Sequence, residues 1–367
     1  MERILVVMGT RPEAIKLCPL IVELKRRNLF DVHVCSTGQH GEMLNSAMEV
    51  FGVKADVVLD VAQQGQSLSS LGARILCAAD RLFNKEKPNL VLVQGDTASA
   101  FFSSLAAFHA RIPVGHVEAG LRTYRVDSPF PEELYREAIS LFATLHFAPT
   151  ENARDHLLKE GREPSSVFVT GNTVIDALRF TLNKGLAHTE SLLPRGVRLL
   201  ILTAHRRENL GARMRDSFLA LRKILLKWED VVALCPLHPN PLVRNTAHEI
   251  LDGVPRVRLI EPPELLTFHH LLAKAYLVIT DSGGIQEEAA ALGIPTLVTR
   301  TETERGEGVC EGILRLVEPD EERIIELADE ILGATPIQYA RMRTPSSVFG
   351  DGRASVRIAD EIENYLN

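Results

Sequence analysis

Two cations stand at the beginning of a predicted helix in the first part of the chain. Arg11 and Lys16 occur in the stretch MGTRPEAIK, which directly follows the first apolar run. The first turn of a helix carries about half a positive charge, so cations there are unfavourable unless an anion lies between them. We therefore predict an anionic ligand at this helix start. The alternative is that both side chains are solvated surface cations.

A glycine-rich turn in the second half of the chain indicates the chemistry of that anion. Ser282, Gly283 and Gly284 in TDSGGIQEEA lie between an apolar strand and a helix. Glycine permits close approach of the backbone, and free N–H groups at a helix start bind phosphate. Glu288, about one turn further along, could reach the ribose hydroxyls of a nucleotide. The alternative is a tight turn followed by solvated carboxylates.

Further cations follow other apolar runs. Arg305 occurs in TETERGEG, and His205 and Arg206 occur in AHRREN. Together with Arg11 and Lys16, these donors would surround a diphosphate and stabilise it as a leaving group. The alternatives are an exposed charged turn and a histidine that only hydrogen-bonds the scaffold.

Two carboxylates close apolar strands in the first half. Asp96 ends NLVLVQGD and Glu118 ends PVGHVE. Burial beside a ligand would raise the pKa of such groups and suit them to proton transfer near neutrality. Glu132 and Glu133 follow Pro131 at a predicted helix start, where acids are common for electrostatic reasons alone, so the residues by themselves favour a structural role for that pair.

Several kinds of chemistry have no motif in this sequence. No G-x-G-x-x-G follows the first strand, and GTRPEAIK lacks the G-K-[ST] ending of a P-loop, so NAD chemistry and ATP hydrolysis are disfavoured. Neither a G-x-S-x-G elbow nor a metal-binding histidine pair occurs. The five cysteines are scattered without a C-x-x-C pair, which predicts reduced thiols and no metal cage.

The composition fits a two-domain cytoplasmic protein. The 367 residues are 45% hydrophobic and 24% charged, enough for two cores. A net charge of −7 without a basic block disfavours nucleic acid and favours a small anionic ligand. The first apolar run is too short for a signal peptide, and no stretch approaches the roughly 20 apolar residues of a membrane span. We therefore expect no membrane association.

The pattern of elements predicts how these residues are positioned. Short Val, Ile and Leu runs alternate with amphipathic segments, which indicates βαβ units, and the pattern restarts after residue 196. We predict two doubly wound, Rossmann-like domains at 1–170 and 171–352, with a final helix over about 353–367 packing back on the first. Ligands of such sheets bind at the carboxyl ends of the strands, so we expect a cleft between the domains.

Seven motifs occur in the order of a known family: GTRPEAIK, QGDT, GHVEAGLRT, PFPEE, HRREN, TDSGGIQEEA and FGDG. Together they resemble the non-hydrolysing UDP-N-acetylglucosamine 2-epimerases. The resemblance implies the two-domain glycosyltransferase-B architecture, a homodimer, and interconversion of UDP-GlcNAc and UDP-ManNAc. A base removes the proton at sugar carbon 2 as UDP departs to give 2-acetamidoglucal, and UDP then adds back while a proton is delivered to the other face. The resemblance implies no cofactor and no metal.

The resemblance also implies roles for individual positions. Asp96, Glu118 and Glu132 take the acid and base positions of the family, which overrides the structural role favoured above for Glu132. Arg11, Lys16 and His205 lie around the diphosphate and sugar. The positions aligned with UDP binding are Phe268, Ser282, Gly283, Gly284, Glu288 and Arg305, with Phe268 on the uracil side.

Several positions depart from the family pattern. Tyr135 replaces an asparagine, Gly306 replaces a proline, and Ser347-Val348 replaces the Asn-Pro that precedes FGDG. Many bacterial relatives are activated by a second UDP-GlcNAc, and the positions that match its site are Gln39, His40, Gln66, Arg206 and His238. Gly41 and Gly65 stand in these segments where arginines are usual. Loss of two cations predicts reduced or altered activation.

Two other functions remain open for this sequence. A glycosyltransferase of the same architecture would need an acceptor and would leave the three carboxylates without a joint purpose. A catalytically silent nucleotide-sugar-binding relative is suggested by the departures, but every charged position assigned to the chemistry is present.

Overall fold

The computed structural model describes residues 1–39, 41–63, 65–185, 196–204, 206 and 209–367. The chain divides into two compact units. Unit 1 contains residues 1–180 and 349–367, and unit 2 contains residues 181–348. Each unit is built on one parallel sheet, which confirms the predicted class of two Rossmann-like domains.

Among the described residues, seven parallel strands form the sheet of unit 1. The strands are β1 Arg3–Met8, β2 Asp31–Ser36, β3 Val57–Val58, β4 Leu90–Gln94, β5 Val114–Val117, β6 Leu145–Ala148 and β7 Val167–Val169. Their order is β3-β2-β1-β4-β5-β6-β7, so the direction of winding reverses between β1 and β4. Crevices at such a reversal are where doubly wound sheets bind ligands.

Helices pack on both faces of this sheet, because its central strands are apolar at successive positions. Leu5 and Val7 of β1 contact the layer containing Phe83, while Ile4 and Val6 on the other face are equally buried. Continuous apolar runs are typical of parallel strands covered on both faces. The helices of this part of the chain are α1 Arg11–Arg27, α2 Gly41–Val50, α3 Leu68–Glu86, α4 Ala98–His109, α5 Glu132–Phe142, α6 Glu151–Lys159 and α7 Thr173–Asn183.

The six strands described in unit 2 repeat the same plan. They are β8 Arg198–Thr203, β9 Val231–Pro236, β10 Val257–Ile260, β11 Ala275–Thr280, β12 Thr296–Thr299 and β13 Leu314–Val317, in the order β10-β9-β8-β11-β12-β13. The helices are α8 Ala212–Lys227, α9 Pro241–Leu251, α10 Leu265–Ala273, α11 Gly283–Ala291, α12 Gly306–Cys310, α13 Glu321–Leu332 and α14 Pro336–Met342. Here the reversal lies between β8 and β11.

The last helix, α15 Ala354–Leu366, belongs to unit 1. Its apolar face is buried at Ile358 and Ile362, and Arg27 at the end of α1 bonds the Val356 carbonyl at 3.0 Å and the Asp360 carboxylate at 2.6 Å. The Asp176 carboxylate of α7 accepts from the first two N–H groups of α15, at 3.1 and 2.8 Å. An amphipathic stripe and a capping acid therefore fix this helix on the first sheet.

The division between the units falls within α7, after Phe180, and again after Val348. The sequence placed these limits at 170 and 352. Most of α7 stays with unit 1, and the Phe180 ring packs on Phe51 of that unit, with centroids 4.9 Å apart. Phe349 stays with unit 1 because its carbonyl accepts from the Asn172 N–H at 2.7 Å. Searched over the described residues, the helices include none that is long and apolar enough to cross a bilayer.

Candidate active site

A buried ion pair joins the first helix to the end of β5. The Lys16 ammonium bonds the Glu118 carboxylate, and both side chains are about nine-tenths buried. Glu118 follows β5 directly and has a φ of 65°, a left-handed conformation that is uncommon for a non-glycine residue. The Asn172 amide also donates to this carboxylate, at 2.6 Å. Two donors from different elements therefore hold Glu118 in an unusual backbone position, as is common at functional sites.

Asp96 lies at the end of the neighbouring strand. Gly95, with a φ of 68°, turns the chain after β4, and its N–H bonds the Val117 carbonyl at 2.9 Å. The Asp96 carboxylate is 3.0 Å from the guanidinium of Arg136, a buried residue of α5. A Cβ on Gly95 would lie 3.9 Å from the Glu118 carboxylate, so the turn that carries Asp96 stands beside Glu118. The structure thus brings together three of the candidate site residues, Lys16, Asp96 and Glu118.

A buried histidine supports the Asp96 turn. His116 of β5 is fully buried, and its Nε2 lies 2.7 Å from the Gly95 carbonyl. Because a carbonyl only accepts, Nε2 carries the hydrogen. Burial lowers the pKa of His116 to about 3, so the ring is neutral near pH 7. No local sequence signal indicates this role, because an inward-facing histidine on a buried strand looks like any other core residue.

The two acids at the start of α5 have different environments. Glu133 is fully buried and accepts from the backbone N–H groups of Thr123 and Tyr124, at 2.7 and 2.9 Å. Its carboxylate also lies 3.5 Å from the Arg136 guanidinium. Glu132 is half-buried at the first position of α5. The structure therefore gives Glu133 a structural role, whereas Glu132 is the more exposed acid of the pair.

A carboxylate from the same helix caps the N-terminus of α1. Glu13 is fully buried and accepts from the N–H groups of Gly9 and Thr10, at 3.0 and 2.8 Å, and from the Thr97 hydroxyl at 2.8 Å. Burial raises its pKa, against the effect of these donors. Arg11, the first residue of α1, is half-buried. Part of the negative charge that we expected at this helix start is therefore supplied by the chain itself, through Glu13.

In unit 2 an arginine packs against the glycine turn. A Cβ on Gly283 would lie 2.7 to 3.0 Å from the guanidinium atoms of Arg305. That guanidinium donates to the carboxylates of Glu287 and Glu304, at 2.7 and 2.6 Å. The absence of a Cβ at Gly283 leaves room for this packing, which brings two of the candidate UDP-binding residues together. Gly284, next along, has no neighbour in its Cβ direction.

Glu304 also lies close to two other guanidinium groups. Its carboxylate also accepts from Arg300 at 2.9 Å and lies 4.0 Å from the Arg206 guanidinium. Burial lowers the pKa of the Arg300 guanidinium. Buried charges need such partners because an unpaired ion in the interior is very costly. Neither Arg300 nor Glu304 was predicted to belong to the site.

The turn after β8 is fixed by Asp281, which directly follows β11. The buried Asp281 carboxylate accepts from the Arg206 backbone N–H at 2.9 Å and from the Asn209 amide at 3.3 Å. The same amide donates to the Thr299 carbonyl at 2.9 Å. The predicted diphosphate ligand His205 belongs to this turn and lies outside the described residues.

Glu288 and Phe268 are held by the same helix pair. Glu288 of α11 is buried, and its carboxylate lies 3.3 Å from Nε2 of His269 on α10. Phe268, the preceding residue, is half-buried and packs against the apolar cluster containing Leu271. Ser282, at the start of α11, donates its N–H to the Thr280 hydroxyl at 3.0 Å. The predicted nucleotide contacts of unit 2 therefore share one end of its sheet.

The predicted effector residues are dispersed over both units. In unit 1, Gln39 accepts from the Ser99 hydroxyl at 2.9 Å, and Gln66 contacts Arg74. In unit 2, His238 accepts from the Asn240 N–H at 3.2 Å. Arg206 lies at the turn described above, and His40 lies outside the described residues. The departure Tyr135 lies in a buried aromatic cluster, stacked on Phe101 with centroids 4.9 Å apart.

Fold and site together define a two-domain, Rossmann-like protein. One domain has a glycine turn at a helix start, and the other has two carboxylates at the ends of adjacent strands. The family model for UDP-N-acetylglucosamine 2-epimerase matches residues 22–363. The chain belongs to the UDP-N-acetylglucosamine 2-epimerase family.

Three relatives illustrate this membership. The UDP-N-acetylglucosamine 2-epimerase of Bacillus subtilis is 48% identical over 98% of this chain and 94% of its own. The crystal structure of the Neisseria meningitidis UDP-GlcNAc 2-epimerase bound to UDP-GlcNAc has a TM-score of 0.95 at 41% identity, covering 99% of this chain and 100% of that one. The S. aureus MnaA–UDP co-structure has a TM-score of 0.94 at 41% identity, covering 100% and 97%.

Proposed function

We propose that this protein interconverts UDP-GlcNAc and UDP-ManNAc without hydrolysis. The observation that carries the proposal is the juxtaposition in unit 1 of Lys16, Glu118 and the Asp96 turn at the ends of two adjacent strands. Family membership and the UDP-GlcNAc complex of the Neisseria relative support the same substrate. Together they favour an enzyme over a silent binding protein.

The reaction requires two proton transfers on opposite faces of the sugar. In the first half, a base takes the proton from carbon 2, the bond between carbon 1 and the UDP oxygen breaks, and a double bond forms between carbons 1 and 2. In the second half, UDP adds back to carbon 1 and an acid returns a proton to the other face of carbon 2. Asp96, Glu118 and Glu132 are the proposed acid and base groups. The exchange is redox-neutral, so no electron acceptor is needed.

Loss of UDP requires stabilisation of the diphosphate. We propose that Arg11, Lys16 and His205 contact the diphosphate and sugar, with Arg305, the Ser282 hydroxyl and the N–H groups of Gly283 and Gly284 binding UDP. The close packing of Arg305 on Gly283 supports this, because it directs a guanidinium toward a helix start. Glu288 is proposed to contact the ribose and Phe268 the uracil.

We also propose that the enzyme acts as a homodimer in the cytoplasm. The five cysteines are all free thiols, with Cys77 and Cys310 exposed. Free thiols at a surface suit a reducing compartment.

The homodimer rests on the family resemblance alone. Size-exclusion chromatography with light scattering on the full chain would test it, and a monomeric mass at micromolar concentration would contradict it.

Proton NMR in deuterated water tests the proposed reaction. The purified protein is incubated with UDP-GlcNAc while the anomeric signals and the carbon 2 proton are followed. A new UDP-ManNAc signal with deuterium at carbon 2 is the expected result. Free ManNAc as the main product would indicate hydrolysis instead.

A variant and a second substrate sharpen this test. Glu118→Gln keeps the size of the side chain but removes its ability to take a proton, so deuterium incorporation should fall by at least about a hundredfold. UDP-ManNAc is supplied in a parallel sample to bypass any need for activation. Tight UDP binding without exchange in either sample would favour a catalytically silent binding protein. Sugar transfer to an acceptor would favour a glycosyltransferase.

A further inference from the structure

A buried histidine in unit 2 contacts the carboxylate that is proposed to bind ribose. His269 of α10 is fully buried and lies between two polar groups. Its Nε2 is 3.3 Å from the Glu288 carboxylate, and its Nδ1 is 2.6 Å from the Thr181 hydroxyl. Thr181 is itself fully buried. A ring that is sealed from water and bonded at both nitrogens has a fixed orientation.

The direction of the hydrogen bond to Glu288 follows from its charge. An ionised carboxylate only accepts, so Nε2 of His269 must carry a hydrogen that points at Glu288. The Thr181 hydroxyl can act as donor or acceptor toward Nδ1, so this contact holds the ring in either tautomer. Thr181 therefore fixes the ring, and the ring fixes one oxygen of Glu288.

We propose that His269 is a positioning residue that sets the ribose specificity of the UDP site through Glu288. The inference rests on the proposed function, since it takes Glu288 as the ribose contact. With one carboxylate oxygen engaged by His269, the other is held in a single direction toward the nucleotide. An acceptor held in this way distinguishes a ribose that carries a hydroxyl from one that lacks it, because the unpaired acceptor is then left without its hydrogen bond.

The position of His269 in the chain supports this role. It follows Phe268, the proposed uracil contact, on the same turn of α10. One helix would thus contact the base directly and orient the carboxylate that binds the sugar. His270, the next residue, has no such role, because its Nδ1 bonds the Leu266 carbonyl of its own helix at 2.9 Å.

The test measures ribose discrimination by the full-length protein. Isothermal titration gives the dissociation constants of UDP, 2′-deoxy-UDP and 3′-deoxy-UDP for the wild type, His269→Val and His270→Val. The wild type should bind UDP on the order of tenfold more tightly than at least one deoxy analogue. His269→Val should reduce that ratio to within about twofold of one, whereas His270→Val should leave it unchanged.

Two further variants separate positioning from folding. His269→Gln can keep a donor directed at Glu288, so it should restore part of the discrimination. Glu288→Gln should lower the ratio as His269→Val does, and the double variant should lower it no further. A purely structural role for His269 would weaken all three ligands by the same factor and leave the ratio at its wild-type value, which would overturn the proposal.

The outcomes also separate this inference from the proposed function. If the wild type binds UDP and epimerises UDP-GlcNAc but His269→Val retains full discrimination, the positioning role is wrong and the proposed function stands. If the wild type binds UDP and its deoxy analogues equally, the ribose contact of Glu288 is wrong. If the wild type does not bind UDP at all, both the proposed function and this inference fail.

Discussion

Acidification should destabilise unit 1 through His116, the buried histidine that supports the Asp96 turn. The pKa of this imidazole is lowered from 6.5 to about 3, chiefly by burial. Between those values the unfolded chain binds a proton that the folded chain does not. The stability that the neutral ring contributes is therefore complete above pH 6.5 and is lost as the pH falls toward 3. At 1.36 kcal/mol per pH unit, the loss between about pH 8 and about pH 5 is roughly 2 kcal/mol.

The variant His116→Gln isolates this contribution. A glutamine amide can donate to the Gly95 carbonyl as the ring does, but it does not titrate. Other groups with shifted pKa values, such as His146, are present in both proteins and cancel in the comparison. The free energy of unfolding of the variant, measured relative to that of the wild type, should therefore rise by roughly 2 kcal/mol as the pH falls from about 8 to about 5. His109→Gln, at the exposed end of α4, is the matched control for removing one imidazole.

Urea titrations at several pH values provide the measurement. Circular dichroism follows both units, whereas the single tryptophan, Trp228, lies in unit 2 and identifies the transition of that unit. The pH-dependent difference between wild type and His116→Gln should appear in the transition that tryptophan fluorescence does not report. Parallel stability profiles from about pH 8 to about pH 5, or a variant that loses stability relative to wild type on acidification, would refute the argument.

Three other outcomes are expected. Gly283→Ala should lower the free energy of unfolding by about 2 kcal/mol in calorimetry, because its methyl group would clash with the guanidinium of Arg305. Gly284→Ala has open space in its Cβ direction, so its free energy of unfolding should be unchanged or rise by up to about 1 kcal/mol from helix propensity. Relative to the wild type, Glu13→Gln should gain stability in urea titrations as the pH rises above 4.5, because a carboxylate whose pKa is raised by burial destabilises the fold on ionising. Initial rates against UDP-GlcNAc concentration should lack sigmoidal activation, because glycines stand at positions 41 and 65, where the family resemblance implies effector-binding arginines. Ordinary sigmoidal activation would contradict this.

Most of the architecture was predictable, because it depends on local periodicity. Apolar runs of four to six residues alternate with amphipathic helices, and each sheet was assigned from that alternation. Glycines directly after β1 and β4 marked the strand ends that carry Arg11 and Asp96. Two strands were missed, because β3 has only two residues and the apolar run of β13 is interrupted by Arg315.

The partners of the site residues were not predictable from local sequence. Asn172 bonds Glu118 across 54 positions of the chain, and His116 supports the Asp96 turn from a strand that reads as uniform core. Likewise, Glu132 and Glu133 look alike in the sequence, and only the contact of Glu133 with two backbone N–H groups separates them. Such roles depend on long-range geometry, which neither composition nor spacing contains.

The cations show why sequence alone overestimates the demand for a ligand. Lys16 is paired with Glu118, and Arg305 with two buried carboxylates. A buried cation needs such a partner whether or not a ligand is bound, because leaving it unpaired is costly. In the proposed function, an incoming diphosphate would therefore meet donors that are already oriented but are shared with carboxylates of the chain. Orientation lowers the cost of ordering these side chains on binding, while sharing limits the net gain. In the proposed reaction this balance favours an enzyme that holds UDP long enough to add it back and still releases it.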